Sequence, residues 1–259
     1  MKICTLASGS SGNASLFIDN NNAILVDAGL SGKAFLEKIG SLGLSPENIS
    51  GIFITHGHID HISGLSAIMK KCNAKVFASK GTIRELLEKF RKLDLSRIEL
   101  IEAGKPVSAA DFTVTPFVIS HDSEEPFGYA VTCGDKKAAV ATDMGLVTDS
   151  IKESLKGCGA VIIETNHDIK MLEAGPYPYK LKKRILGAGG HLSNEASAEL
   201  GVWLAQNGTG NFLLAHLSEE NNYPDLALMS YENAFEKYNI TGVTLKIAPR
   251  REISEVLEC

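Results

Sequence analysis

The sequence predicts an α/β fold built as one domain over residues 1–259. Three observations carry that reading. Short runs rich in Ile, Val and Phe recur along the chain, as strands require. Helical periodicities fall between several of them. Six of the strand-like runs end on His, Asp or Glu. A chain of 259 residues that is 44% hydrophobic can bury one large core.

In chain order, "AILVD" predicts a strand that ends at Asp27, and "GKAFLEKIGSLG" a helix after it. "GIFITH" predicts a strand ending at His56. "LSAIMKKC" and "TIRELLEKFRKL" follow with helical spacing of their apolar residues. "TVTPFVISH" ends at His121, "AAVATD" at Asp143 and "AVIIE" at Glu164. "NEASAELGVWLAQNG" is a helix that Ser193 or Asn194 caps and Gly208 ends. "NFLLAH" ends at His216, and "PDLALMSYENAFEKYN" closes the pattern as a helix.

Composition narrows the function. Net charge is −5, so a nucleic-acid role has to use a local basic patch. The apolar run in "MKICTLASGSSGN" is too short for a signal peptide, and no stretch reaches the length of a membrane helix. The five cysteines are scattered without a CxxC pair, which predicts a reducing cytoplasm and no thiolate zinc site.

The chemistry concentrates in "THGHIDHISG", where His56, His58, Asp60 and His61 crowd into six positions after a strand. A single Asp or His after a strand is usually a turn former or helix cap. Four donors together, with His121, Asp143 and His216 at other strand ends, point instead to a metal centre. Imidazole and carboxylate donors suit Zn²⁺, Mn²⁺ or Fe.

HxHxDH followed in order by those three residues resembles the metallo-β-lactamase fold. The resemblance implies an αββα sandwich of two β-sheets with helices outside and two divalent ions at one edge. It implies His56, His58 and His121 on the first ion, Asp60, His61 and His216 on the second, and Asp143 between them. Asp27 then orients a ligand histidine from behind. A pair of ions about 3.5–4 Å apart shares a hydroxide that serves as nucleophile. "VIIETNHD" and "GHLSN" resemble tRNase Z-type phosphodiesterases, which implies that Glu164 and His191 join Asp60 as catalytic residues. His191 is then the proton donor for an alkoxide leaving group. His167 and Asp168 fall near the centre without a role, and Asp168 reads as a helix cap.

"LASGSSGN", "SHDSEEPFGY", "ETNHD" and "YPYKLKKRILGAGGHLSN" together resemble the YycJ (WalJ) family of bacterial metallo-hydrolases. That implies a cytoplasmic 5′-to-3′ exonuclease connected with DNA repair. The substrate partner is then a nucleic acid, DNA rather than RNA, with no membrane. The basic run Lys180, Lys182, Lys183 and Arg184 is the candidate phosphate-binding surface, although such runs are commonly solvated faces. The alternative reading is a hydrolase of small cyclic or nucleotide phosphodiesters, which needs the same metals but not the basic run.

Overall fold

The computed structural model describes residues 1–259. Its strands are β1 (Lys2–Ala7), β2 (Ala14–Asp19), β3 (Asn22–Val26), β4 (Ile49–Phe53), β5 (Lys75–Ala78), β6 (Ile98–Leu100), β7 (Val107–Ala109), β8 (Phe112–Val118), β9 (Phe127–Cys133), β10 (Lys136–Ala141), β11 (Ala160–Glu164), β12 (Asn211–Ala215), β13 (Thr244–Ile247) and β14 (Leu257–Glu258). The helices are α1 (Gly32–Ser41), α2 (Ile59–Ile62), α3 (Leu65–Met69), α4 (Lys80–Lys89), α5 (Asp149–Leu155), α6 (Ile169–Ala174), α7 (Tyr179–Leu186), α8 (Asn194–Gln206) and α9 (Pro224–Lys237). All six strand-like runs form strands. α4 ends at Lys89, earlier than its apolar spacing suggested.

The strands form two seven-stranded mixed sheets, ordered β14-β1-β2-β3-β4-β5-β6 and β13-β12-β11-β10-β9-β8-β7. Between the sheets lies an apolar layer that includes Phe17, Val26, Phe53, Phe77, Tyr129, Val140 and Ile162. A second layer packs α1 and α3 on the first sheet through Phe35, Ile39, Leu65 and Ile68. A third packs α5, α8 and α9 on the other through Ile151, Leu200 and Tyr231. This is the αββα sandwich. Non-polar residues face both sides of the central strands because each sheet is covered twice.

Strand direction then decides where the polar ends go. β3 and β4 run parallel, as do β10, β11 and β12. β8 and β10 are each antiparallel to β9, so they share one direction. The ends of the strands that precede His121, Asp143, Glu164 and His216 therefore reach one edge of their sheet. The sheets are also joined at that edge. The Tyr129 hydroxyl, fully buried in β9, donates to the Ile54 carbonyl (2.6 Å), and Phe127 N–H donates to the Thr55 carbonyl (2.9 Å). A buried phenol needs such a partner, and here it fixes the chain entering the histidine cluster.

Two segments are placed only by the structure. The basic run lies on α7, a helix without a single buried residue, where the sequence showed only a charged stretch among prolines. "SGSSGN" is the loop joining β1 to β2, and it packs against the histidine cluster.

Candidate metal centre

Three candidate ligand or outer residues leave their strands by the same backbone device. Asp27 and His216 follow their strands directly and Asp143 stands one residue beyond its strand, with φ of 64°, 57° and 61°. This left-handed conformation is uncommon outside glycine and costs free energy, so the surroundings must hold it. At His216 they do: its N–H donates to Ser8 Oγ (2.7 Å), and its carbonyl accepts from Asn166 Nδ2 (2.8 Å).

The donors of His56, His58 and His121 lie within 4.8 Å of one another, as do those of Asp60, His61 and His216, and Asp143 joins His56 and His61 in a third such group. The histidines are prepared from behind. His61 Nδ1 donates to Asp27 Oδ2 (2.7 Å), while Asp27 also accepts from the N–H and hydroxyl of Thr55. His121 Nδ1 donates to the Gly190 carbonyl (3.1 Å), and His216 Nδ1 to Glu164 Oε1 (3.1 Å). His56 Nδ1 faces Thr55 Oγ1 at 3.0 Å. At His56 and His216 the other nitrogen has no partner, and in all four rings it is turned toward the cluster, which is how a protein presents imidazole to a metal.

The bare atoms test whether ions fit. His56 Nε2, His216 Nε2 and Asp143 Oδ2 are buried with no hydrogen-bond partner, a costly condition that a cation relieves. His121 Nε2 and His58 Nδ1 face each other at 3.2 Å, close enough for one ion to engage both. Burial disfavours the charged form of His61 and His216. Yet Asp27 and Asp143 outweigh it at His61, and Asp143, Asp60 and Glu164 outweigh it at His216, which is pushed up to about 10. The pocket's surplus of carboxylates asks for cations, and the donor set matches Zn²⁺, Mn²⁺ or Fe.

Glu164 and His191 stand beside these groups, but Glu164 is already saturated. Its Oε1 accepts from His191 Nδ1 (2.7 Å) and His216 Nδ1. Its Oε2 accepts from Met144 N–H (2.7 Å) and Leu192 N–H (3.1 Å). Burial opposes its charge, but His191 and His216 outweigh that and hold the carboxyl well below the usual range. The carboxylate in turn raises His191 against its own burial. Four donors leave Glu164 little capacity for a metal, so it serves as an orienting group for both histidines.

Several contributors escaped the sequence reading. Asn13 Nδ2 reaches Asp60 Oδ2 (3.2 Å) and His61 Nε2 (3.0 Å), and its Oδ1 accepts from Gly9 N–H. Glu85 and Lys89 of α4 bind the two sides of the Gly57 peptide. Only the glycine-flanked "SGSSGN" offered a signal for the first of these. The basic run is divided. Arg184 Nε pairs with Asp122 beside His121, Lys182 Nζ donates to the Glu173 carbonyl (2.6 Å), and Lys183 lies over the Tyr179 ring, while Lys180 is exposed. His167 is buried with neither ring nitrogen bonded, and burial lowers it to about 4. Asp168 caps α6 by accepting from Met171 N–H (2.8 Å).

Comparison with known proteins agrees with this architecture. The Beta-lactamase superfamily domain model matches residues 22–216. The exodeoxyribonuclease WalJ of Streptococcus pneumoniae is 36% identical over 249 residues, 95% of this chain and 93% of that one. The exodeoxyribonuclease YycJ of Bacillus anthracis is 37% identical over 232 residues, 90% of this chain and 88% of that one. The fold also superposes on the metallo-beta-lactamase fold protein YhfI from Bacillus subtilis with a TM-score of 0.73 at 17% identity, covering 100% of this chain and 98% of that one. The chain therefore belongs to the beta-lactamase superfamily and, within it, to the family of the WalJ and YycJ exodeoxyribonucleases.

Proposed function

We propose that this chain is a metal-dependent exonuclease that removes nucleotides from DNA in the 5′-to-3′ direction. The observation that carries the reading is the His191–Glu164 pair beside the clustered donors, in a chain whose relatives over nearly its full length are named exodeoxyribonucleases. His56, His58 and His121 would hold one divalent ion, and Asp60, His61 and His216 a second, with Asp143 between them. Zn²⁺ or Mn²⁺ suits the donors, and Fe is also compatible. When bound, such ions polarise a phosphoryl oxygen and supply an activated water.

The protein's own groups do the rest. Expelling an alkoxide needs a proton at the leaving oxygen. His191 Nδ1 is occupied by Glu164, so Nε2 is the atom that gives the proton. Glu164 stays ionised, supports the charged ring and fixes its orientation. Asp27 and Asn13 hold His61. Lys180, Lys182 and Lys183 on α7 capture phosphates away from the cleaved one, with Arg184 anchoring that helix to Asp122. The five unpaired cysteines fit a reducing cytoplasm.

End-labelled single- and double-stranded DNA and RNA, incubated with the protein and Mn²⁺ or Zn²⁺, test this directly. The expected products are mononucleotides released stepwise from DNA 5′ ends. Internal cuts, or no cleavage by a protein with its metals bound, would overturn the reading.

A further inference from the structure

A strand crossing the centre has to be held on both sides of the cleaved bond. α7 is fixed by the Arg184–Asp122 pair to the loop that carries His121, so it serves the His56/His58/His121 side. Around the residue that follows His216 lies a cavity of about 280 Å³ walled chiefly by Leu217, Tyr223, Pro224, Ile247, Pro249 and Arg250. Leu217 is the residue after His216. The stem of Arg250 packs on Gly9, its Cγ standing 3.6 Å from where a Cβ would be. Gly9 in turn bonds Asn13, whose carboxamide touches Asp60 and His61. The cavity therefore adjoins the Asp60/His61/His216 half of the centre.

Its chemistry is specific. The walls are mostly apolar, and one aromatic ring stands in the open: Tyr223 is 61% exposed. The ring's backbone is not loose. Tyr223 N–H donates to Asn222 Oδ1 (2.9 Å), and Asn222 is buried and bonded to Thr165, Asn166 and Asn194. At the rim the Arg250 guanidinium is held by the Ser218 carbonyl (2.6 Å) and Glu219 (3.3 Å). An exposed tyrosine on an anchored backbone, beside a proline-lined slot, offers a flat π face with a cation alongside.

We propose that this slot seats a nucleobase. It is the base of the nucleotide next to the cleaved phosphate, stacked on Tyr223, with Arg250 near that nucleotide's backbone. The inference rests on the nuclease reading above. An occupant of a cavity this close to His216 belongs to the same substrate, and the base face is the apolar, planar part of a nucleic acid. The slot has room for about one base, which suits a sequence-tolerant grip on a single terminal nucleotide.

The test compares an intact single-stranded DNA oligonucleotide with one whose terminal nucleotide lacks its base. Removing a stacking aromatic typically costs about 10- to 100-fold in binding. Tyr223→Ala is expected to lower kcat/KM on the intact strand by that factor, through KM, and Tyr223→Phe or Tyr223→Trp to restore most of it. The abasic strand is expected to lose the same factor with the unsubstituted protein, and Tyr223→Ala to add no further loss. Equal cutting of intact and abasic strands by the unsubstituted protein overturns the slot, and that comparison needs no variant. Equal penalties from Tyr223→Ala on both strands, or no rescue by Phe or Trp, overturn the role of Tyr223. If the unsubstituted protein with metals bound cuts neither strand, the nuclease reading itself fails.

Discussion

Glu85, in the second turn of α4, accepts a hydrogen bond at 2.9 Å from the amide of Gly57, the residue between His56 and His58. One turn later Lys89 donates to the carbonyl of Gly57 itself at 2.5 Å. Glu85 also accepts from Ser123, two residues beyond His121. One helix face thus clamps both loops that present His56, His58 and His121. A side chain on Gly57 has no room, since its Cβ would meet Glu85 Cβ and Oε2 at 2.5 Å.

Glu85→Ala is therefore expected to weaken metal binding at the His56/His58/His121 group alone. Outer partners of metal ligands are typically worth about 10- to 100-fold in affinity. Glu85→Gln, which keeps an acceptor, should lose less, and Gly57→Ala should lose at least as much as Glu85→Ala. Calorimetric metal titration resolves the two binding steps. Equal weakening of both steps would mean that Glu85 only supports the fold.

His58→Ala and Asp143→Ala are expected to abolish hydrolysis with secondary structure retained, and His58→Ala to leave one ion per chain. Chelation should lower Tm in the unsubstituted protein, because ions that bind only the folded state stabilise it, by about 2.7 kcal/mol at a hundredfold excess over Kd. Metal analysis beside circular-dichroism melting checks both. Full activity in either variant would remove the residue from the centre.

His191→Ala should slow cleavage of DNA by about 10²–10⁴-fold and slow a nitrophenyl phosphodiester far less. Nitrophenolate is already a weak base and leaves without a proton. The comparison is made at equal metal content. The same loss on both substrates would exclude His191 as the proton donor.

On α7, Lys182→Glu with Lys183→Glu is expected to raise KM for an oligonucleotide and flatten its salt dependence. Arg184→Ala should act differently. It frees Asp122 beside His121, so a fall in kcat should accompany any rise in KM. Salt titrations of initial rates distinguish the two. Matching profiles would show that Arg184 is one more phosphate contact.

The buried thiols give a simple check of the packing. Burial pushes Cys4 and Cys158 up to about 12 and Cys72 up to about 11. The thiolate is the reactive form, so at pH 8 these three should resist an aromatic disulfide reagent until the protein is denatured. Rapid native reaction of all five cysteines would contradict the packing of the three layers.

The sequence by itself determined six of the fourteen strands, five of the nine helices and the crowding of His56, His58, Asp60 and His61. Apolar periodicity and a local cluster of ligands leave marks within a few residues of one another. It also showed that six strands end on polar side chains, which convergence at one edge explains. What it could not show was the support: Glu85 for Gly57 at 28 residues' separation, Asn13 for Asp60 at 47, Glu164 for His216 at 52 and Tyr129 for Ile54 at 75. Nor could it show that Arg184 is spent on Asp122, or that Tyr223 and Arg250 come to stand beside His216. These contacts have no period and no motif. They exist only once strand register and the packing of two sheets bring distant side chains within hydrogen-bonding reach, and that is decided by the tertiary structure.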